Sequence, residues 1–521
     1  MKKIDYKKQL KTPYLEAYKK YLEEKQAVFD VPGHHQGNIE TDFNKVFGDS
    51  IYKSDVNAPR GMDNLSHPKT VIKEAQDLFA EATNASYSKF LVNGSSEGNL
   101  IMLMSTLSEG DKILLPRNVH KSVISALILC GATPIFLMPE IDEQTEIVNQ
   151  ISYKEWKKAI DLHSDAKAIF IINPTYFGAT TNLKKIVDYA HLHHMVVLVD
   201  EAHGTHFYFS NSLPISAMDA GADMTTLSVH KTGGSLTQSS VLLVKGERVL
   251  RYDVVKTFNL LTTTSPSSLL IASLDSARKF LVFEGKKYIN EAIRLAKICR
   301  DEINKIPGFI ARDKEYFKTK GAYSYDDTKV VVEIDKLSIT GFEVYKILRD
   351  RFHIQIELAE TYVFLLLFTV GSKEKDITIL CNALRKISDK YYDPNVTYEN
   401  HRYMSHFPEL VLTPREAYQA PLKVVKLQNA LNKIAKETIM IYPPGIPLIV
   451  PGERFTQEVI DELAYYRKIK ANIVSDYEGP NAVSVIDERK LKEEELEKFL
   501  NNSKMKMMAK SFHQYIVDKK K

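Results

Sequence analysis

Between residues 70 and 245 the chain repeats one pattern: a short apolar run, a polar loop, then a helix-like stretch. The runs are KFLV (89–92), KILL (112–115), PIFLM (134–138), AIFII (168–172), VVLV (196–199), TTLSV (225–229) and VLLV (241–244). Each has strand length, and most are apolar without strict alternation, as expected of strands covered on both faces. Stretches such as Thr70 to Ala85 and Asn182 to His194 fit between several of them as helices. The pattern predicts an α/β domain built on a mostly parallel sheet of roughly seven strands.

Sheets of this kind bind ligands outside the carboxyl ends of their strands. The residues that follow the runs are Asn93-Gly94-Ser95-Ser96, Pro116 to His120, Asn173 to Gly178, Asp200 to Gly204, and His230 to Gly234. Polar, chemistry-bearing groups therefore gather along one edge of the sheet.

At 521 residues the chain is too long for a single core. Beyond residue 275 the pattern changes. Asp275 to Ile306 reads as one long helix. KVVVEID (329–335) and YVFLLLFTV (362–370) read as strands of a smaller α+β unit, with a turn at Gly371-Ser372. A connector rich in charge and tyrosine spans 389–412. YPPGIPLIVPGE (442–453) reads as a rigid loop, and the tail from Glu488 as an exposed helix. The expected organisation is an N-terminal helical segment (1–30), a large ligand-binding domain (31–275), a small α+β domain (276–388) and a C-terminal α+β domain with a helical tail (389–521).

Several function classes drop out. The net charge of +4 is spread over 70 basic and 66 acidic side chains, with the basic runs at the ends, so no nucleic-acid partner is indicated. Cys130, Cys299 and Cys381 form no CxxC pair, so neither a disulfide framework nor a zinc site is signalled. The stretch MKKIDYKKQLKTPYLEAYKKY lacks the apolar centre of a signal peptide. The run Val363 to Val370 is too short to span a bilayer. A cytoplasmic protein without a membrane partner is expected.

Directly after TTLSV stands His230-Lys231-Thr232-Gly233-Gly234. A phosphate-binding P-loop needs glycines before its lysine, and residues 225 to 230 contain none. No G-x-G-x-x-G follows the first strands either. A lysine that forms a Schiff base needs different company. If the carbonyl belongs to pyridoxal phosphate, the chain must supply an anion holder, a proton controller and a ring clamp. Asn93 to Ser96, ahead of the helical run Glu97 to Leu107, offers hydroxyls and amides for a phosphate. A plain helix cap uses the same residue types. Ser228 and His230 add donors. Asp200 suits the pyridine nitrogen, because a buried carboxylate favours the charged form of its partner. Ala202 is small enough to lie under a ring, His120 is placed to cover the other face, and His203 to bond the ring's phenolic oxygen. His191 and His194 stand at i,i+3 without an H-E-x-x-H motif, so they read as surface histidines and no metal is expected.

Six separated motifs carry a resemblance: SVHKTGGSLTQSS, VDEAHGTHF, INPTYFG, LPRNVHKS, LLTTTSPSSLLIASLD and YPPGIPLIVPGE. Together they resemble the Orn/Lys/Arg decarboxylase family, of aspartate-aminotransferase-type fold, in its shorter biosynthetic bacterial form. AYSYDDTK (322–329) leans toward arginine decarboxylases. The resemblance implies that Lys231 carries pyridoxal phosphate, Asp200 pairs with the ring nitrogen and His120 stacks on the ring. It implies that Ser95, Ser96, Ser228 and His230 hold the phosphate. Thr263-Thr264-Ser265 would reach a neighbouring subunit's phosphate, so a homodimer or higher homo-oligomer with shared sites is implied. Glu453 would read the distal cation of a basic amino acid, for which a carboxylate is apt. The implied reaction is decarboxylation of a basic L-amino acid: arginine first, with lysine and ornithine as alternatives. Aminotransferases share the fold and the lysine, and an inactive regulatory relative is the non-enzymatic alternative. The chain departs from the family pattern at His35 (usually lysine), Asn64 (usually aspartate) and Ala359-Glu360 (usually Ser-Asp). These departures bear on the substrate and leave the cofactor set intact.

Overall fold

The computed structural model describes residues 4–24, 26–142, 144–397, 407–441, 446–469, 471–477 and 481–494. It divides into two compact units, Met1–Tyr403 with Pro443–Ile446, and Met404–Tyr442 with Pro447–Lys521.

Seven strands form the large sheet of the first unit: β1 (Tyr87–Leu91), β2 (Lys112–Pro116), β3 (Thr133–Leu137), β4 (Ala168–Ile172), β5 (Val196–Asp200), β6 (Met224–Leu227) and β7 (Ser240–Val244). Their order is β1-β7-β6-β5-β4-β2-β3. Only β7 runs against its neighbours. β1, β5, β6 and β7 are buried along their whole length, which is why their sequences are apolar without alternation. The expected sheet is present, strand for strand. Because six strands share a direction, the loops after β1, β2, β4, β5 and β6 come together at one edge.

Two local expectations need correction. TTLSV is extended only to Leu227, and Val229–Thr232 is a helical turn. Gly233 donates to Val229 O at 2.7 Å to close that turn, and a Cβ on Gly233 would lie 2.9 Å from the same oxygen. Only glycine tolerates so close an approach. The turn points Lys231 back over the sheet edge. The stretch Asp275 to Ile306 is not one helix. Ser268–Phe283 and Gly285–Ile303 are separate helices broken at Glu284, and Gly285 packs with its α-carbon close to Phe209.

A four-stranded antiparallel sheet follows: β8 (Phe309–Arg312), β9 (Lys329–Ile334), β10 (Leu358–Ala359) and β11 (Val363–Leu367), in the order β10-β11-β9-β8. Side chains alternate along β9. Val330 and Val332 enter a core with Leu295, Cys299, Leu348 and Leu384 of the helices on one face. Val331 enters a second core on the other face, with Phe177 and Ala179 from the loop after β4. The pairing of Tyr325 with Ala179 and of Ser324 with Thr180 ties the two sheets together at the same place. The small sheet is thereby docked onto the ligand edge of the large one.

The second unit contains a strand pair Leu422–Lys426 with Ala482–Ile486, another pair Ile439–Ile441 with Ile473–Ser475, and a helix Gln457–Lys468. Residues 398–406 of the connector, 442–445 of the proline-rich loop and the tail from residue 495 lie outside the described residues. Among the described residues no helix is long and apolar enough to cross a membrane, and no cluster of His, Cys, Asp or Glu is arranged to hold a metal ion. The three cysteines are buried, and none of them forms a disulfide among the described residues.

Candidate active site

The strand ends supply the site's parts. After β1, the helix α1 (Gly94–Thr106) begins at once, so Ser95 and Ser96 lie in its first turn rather than ahead of it. Its backbone amides and dipole face the sheet edge. Gly98 lets this helix sit directly on β6, because a Cβ there would lie 2.1 Å from Thr226 Oγ1. That approach brings Ser95 Oγ to 2.8 Å from Ser228 Oγ, the first hydroxyl after β6. His230 donates Nδ1–H to Ser239 O at 2.9 Å, which fixes its ring beside the same corner. Ser95, Ser96, Ser228, His230 and the helix N-terminus form one donor-rich pocket corner, suited to a phosphate.

Asp200 ends β5 and is buried. Its Oδ1 accepts from Ala202 N–H at 3.0 Å, and its Oδ2 from Asn99 Nδ2 at 2.9 Å. Asn99 also donates to Ser122 Oγ at 3.0 Å, and Ser122 Oγ lies 2.8 Å from His120 Nδ1. Ser122 N–H donates to the same Nδ1 at 3.2 Å. With Nδ1 accepting, the His120 proton sits on Nε2. His120 caps the helix α2 (Lys121–Cys130), and burial lowers its pKa, against the opposing charge of Asp200. It is therefore a neutral, flat ring beside Asp200 and Lys231, fit to cover an aromatic face.

Lys231 is partly buried. Burial lowers its pKa, while Asp200 and Glu357 pull the other way. Its Nζ lies 3.0 Å from His203 Nε2. On the far side of the same imidazole, Lys329 Nζ lies 3.2 Å from His203 Nδ1. Tyr176 closes this corner. Its ring centroid is 4.4 Å from that of His203, and its hydroxyl donates to Glu357 Oε1 at 2.8 Å.

The structure thus brings Ser95, Ser96, His120, Asp200, Ala202, His203, Ser228, His230 and Lys231 to one place. Thr263, Thr264 and Ser265 are exposed. They follow Thr262, whose hydroxyl bonds Glu97 of α1. Glu453 belongs to the second unit, where its carboxylate accepts from Val450 N–H at 2.9 Å. Sequence reasoning missed Asn99, Ser122, Tyr176, Glu357 and Lys329. Two of them carried a signal. An asparagine inside a helix is poorly placed for helix formation. A lysine opening the apolar strand KVVVEI is costly to bury without a function or a partner.

The donor set fits pyridoxal phosphate: a hydroxyl-lined helix N-terminus for the phosphate, an orienting network around Asp200 for the ring nitrogen, a neutral imidazole for one face, and a partly buried amine for the carbonyl. Residues 12–376 match the family model of the Orn/Lys/Arg decarboxylase major domain, and residues 397–474 that of its C-terminal domain. The chain is 41% identical over 489 residues to an arginine decarboxylase of Bacillus subtilis, covering 92% of this chain and 99% of that one. The solved structure of the Escherichia coli constitutive lysine decarboxylase shares the fold, with a TM-score of 0.80 and 23% identity, over 92% of this chain and 82% of that one. The ureidoglycine-glyoxylate aminotransferase of Bacillus subtilis shares it over 61% of this chain and 84% of that one, with a TM-score of 0.51.

Proposed function

Since the chain belongs to the Orn/Lys/Arg decarboxylase family, and so decarboxylates a basic amino acid, we propose that it converts arginine to agmatine and CO2, using pyridoxal phosphate carried by Lys231. The observation that supports the cofactor assignment is the convergence of Lys231, Asp200, His120 and the Ser95–Ser228 corner at one sheet edge. The likeness to the arginine decarboxylase over most of both chains supports arginine over lysine or ornithine.

Each residue has a physical task. Ser95, Ser96, Ser228 and His230 hold the phosphate at the N-terminus of α1. Asp200 keeps a proton on the ring nitrogen, and Asn99 with Ala202 N–H holds that carboxylate in line. His120 and Ala202 keep the ring flat between them. When bound, pyridoxal phosphate would supply an electron sink for the bond to the α-carboxylate. Thr263-Thr264-Ser265, exposed on this chain, reach the site of a second copy, so the active form is at least a homodimer.

The test has two arms. Protein loaded with cofactor is expected to be yellow, and Lys231→Ala to lose that colour. A colourless loaded wild type overturns the cofactor assignment. CO2 release is then measured from arginine, lysine and ornithine in parallel. Arginine is expected to give the highest kcat/KM. Failure on all three with amino transfer present would make the chain an aminotransferase of the same fold.

A further inference from the structure

His203 is held between two lysines, and the chain folds in a specific way to put the second one there. Lys329 opens β9 in the small sheet, 126 residues from His203 in sequence. Its stem passes over Gly178, where a Cβ would lie 2.8 Å from Lys329 Cδ. Gly178 also has φ +100°, so the loop after β4 needs glycine twice over at this point. Asp326 N–H donates to Gly178 O at 2.9 Å, and Lys329 N–H donates to Asp326 O at 3.0 Å, which locks the turn before β9 onto that loop. The Asp326 carboxylate is buried. It accepts from Thr328 Oγ1 at 2.6 Å and pairs with His206 Nε2 at 3.0 Å. It gives the Lys329 ammonium a nearby counter-charge.

We propose that Lys329 is a positioning residue for the cofactor lysine: its ammonium occupies Nδ1 of His203, places the ring proton on Nε2, and so holds Lys231 as an unprotonated amine. This rests on the reading of Lys231 as the residue that takes the carbonyl. A neutral imidazole has one N–H and one lone pair. With the buried Asp326 carboxylate beside it, Lys329 is taken as the ammonium, and Nδ1 then accepts. Nε2–H then faces Lys231 Nζ at 3.0 Å, and an ammonium cannot accept it. Only the amine, which is the form that attacks a carbonyl, fits this arrangement. With the cofactor bound, His203 Nε2–H would be available to the ring's phenolic oxygen.

The surrounding charges are consistent. Burial holds the His203 pKa well below the usual histidine value, and Lys231, Lys329, His206 and His230 push it the same way. Burial brings Lys329 down to about 8, opposed by Asp326 and Glu357, which give its ammonium two counter-charges. Lys231 faces Asp200, Glu357, His120, His203, His230 and Lys329, and burial outweighs its two carboxylates.

The test follows the uptake of pyridoxal phosphate by the cofactor-free protein, read as growth of the visible band across pH. Wild type is expected to show an uptake midpoint below the ordinary lysine range. Lys329→Met is expected to raise that midpoint by about one pH unit and to slow uptake near pH 7 about tenfold, because a proton now rests on Lys231. Lys329→Arg, which keeps the cation, is expected to return the midpoint toward wild type. A merely structural role would lower the amount of folded protein without moving the midpoint. An unchanged midpoint in folded Lys329→Met overturns the proposal. If neither variant folds, the ring 15N shifts of His203 in wild type decide, and a proton on Nδ1 overturns it. Loss of colour in wild type itself, or colour that survives Lys231→Ala, would instead overturn the reading of Lys231.

Discussion

Asn99 donates to Asp200 Oδ2 at 2.9 Å from inside the helix whose first turn carries Ser95 and Ser96. One helix therefore both carries Ser95 and Ser96 in its first turn and orients the Asp200 carboxylate. The second hydrogen of the same amide goes to Ser122, the residue that fixes His120. Asp200 and His120 are thus coupled to the helix that carries Ser95 through a single side chain.

Asn99→Ala is expected to leave the fold intact and loosen the site. It strips one donor from a buried carboxylate and one from Ser122, a loss of about 1–3 kcal/mol. Cofactor affinity should fall about tenfold or more, read by titrating the visible band, with kcat falling alongside it. Unchanged affinity would mean that Ala202 N–H alone suffices to hold Asp200.

Glu201, next to Asp200, is fully buried. It accepts from Tyr208 Oη at 2.6 Å and Ala217 N–H at 2.8 Å. Burial pushes its carboxyl up to about 8. Above the ordinary carboxylate range the unfolded chain has lost this proton while the folded chain keeps it. Stability must therefore fall as pH rises from about 4.5 to about 8. Glu201→Gln removes this dependence. The melting temperature of wild type is expected to decline from pH 5 to pH 8 more steeply than that of the variant. Parallel profiles would show that Glu201 does not titrate in this window.

Gly98→Ala tests the close packing of α1 on β6. A methyl group there would overlap Thr226 Oγ1 and stand 3.1 Å from Leu91 Cδ1. Overpacking of this kind costs about 1–3 kcal/mol. The helix must also lift, which separates Ser95 from Ser228. A lower melting temperature is expected together with weaker cofactor retention. A fall in stability with retention unchanged would show that the phosphate corner does not depend on this contact.

Asp275 and Arg278 form an ion pair at 2.9 Å with both side chains fully buried. Asp275 Oδ2 also accepts from Tyr14 N–H at 3.0 Å, and Arg278 donates to the carbonyls of Gln9 and Lys11, so the pair anchors the N-terminal segment. Asp275→Ala leaves an unpaired buried guanidinium and is expected to cost about 3–5 kcal/mol. Asp275→Ala with Arg278→Met should recover part of that loss in chemical denaturation. Equal losses in the single and double variants would show that the backbone anchoring matters more than the charge pairing.

Much of this protein was legible before any coordinates. The seven strands came from apolar runs whose burial on both faces erases alternation, a property each run carries locally. Lys231, Asp200, His120 and Ser95 were legible because a parallel sheet sends the loops after its strands to one edge. The break at Glu284 was not legible, because helical periodicity continues through it and only the packing of Gly285 on Phe209 decides where the first helix stops. The end of β6 at Leu227 was missed for a related reason. Val229 is a good strand residue, and the turn there depends on the approach that Gly233 permits.

The sequence by itself determined the strand set, the edge where chemistry gathers, and the residue types for a Schiff-base site, since these follow from local polarity and chain direction. Tertiary structure alone decided which groups surround Asp200 and His203. Asn99 meets Asp200 because Gly98 lets a helix touch β6, and Lys329 meets His203 because the small sheet docks on Phe177 and Gly178. A pKa depends on distance and burial, and neither is set until chain segments far apart in sequence have packed together.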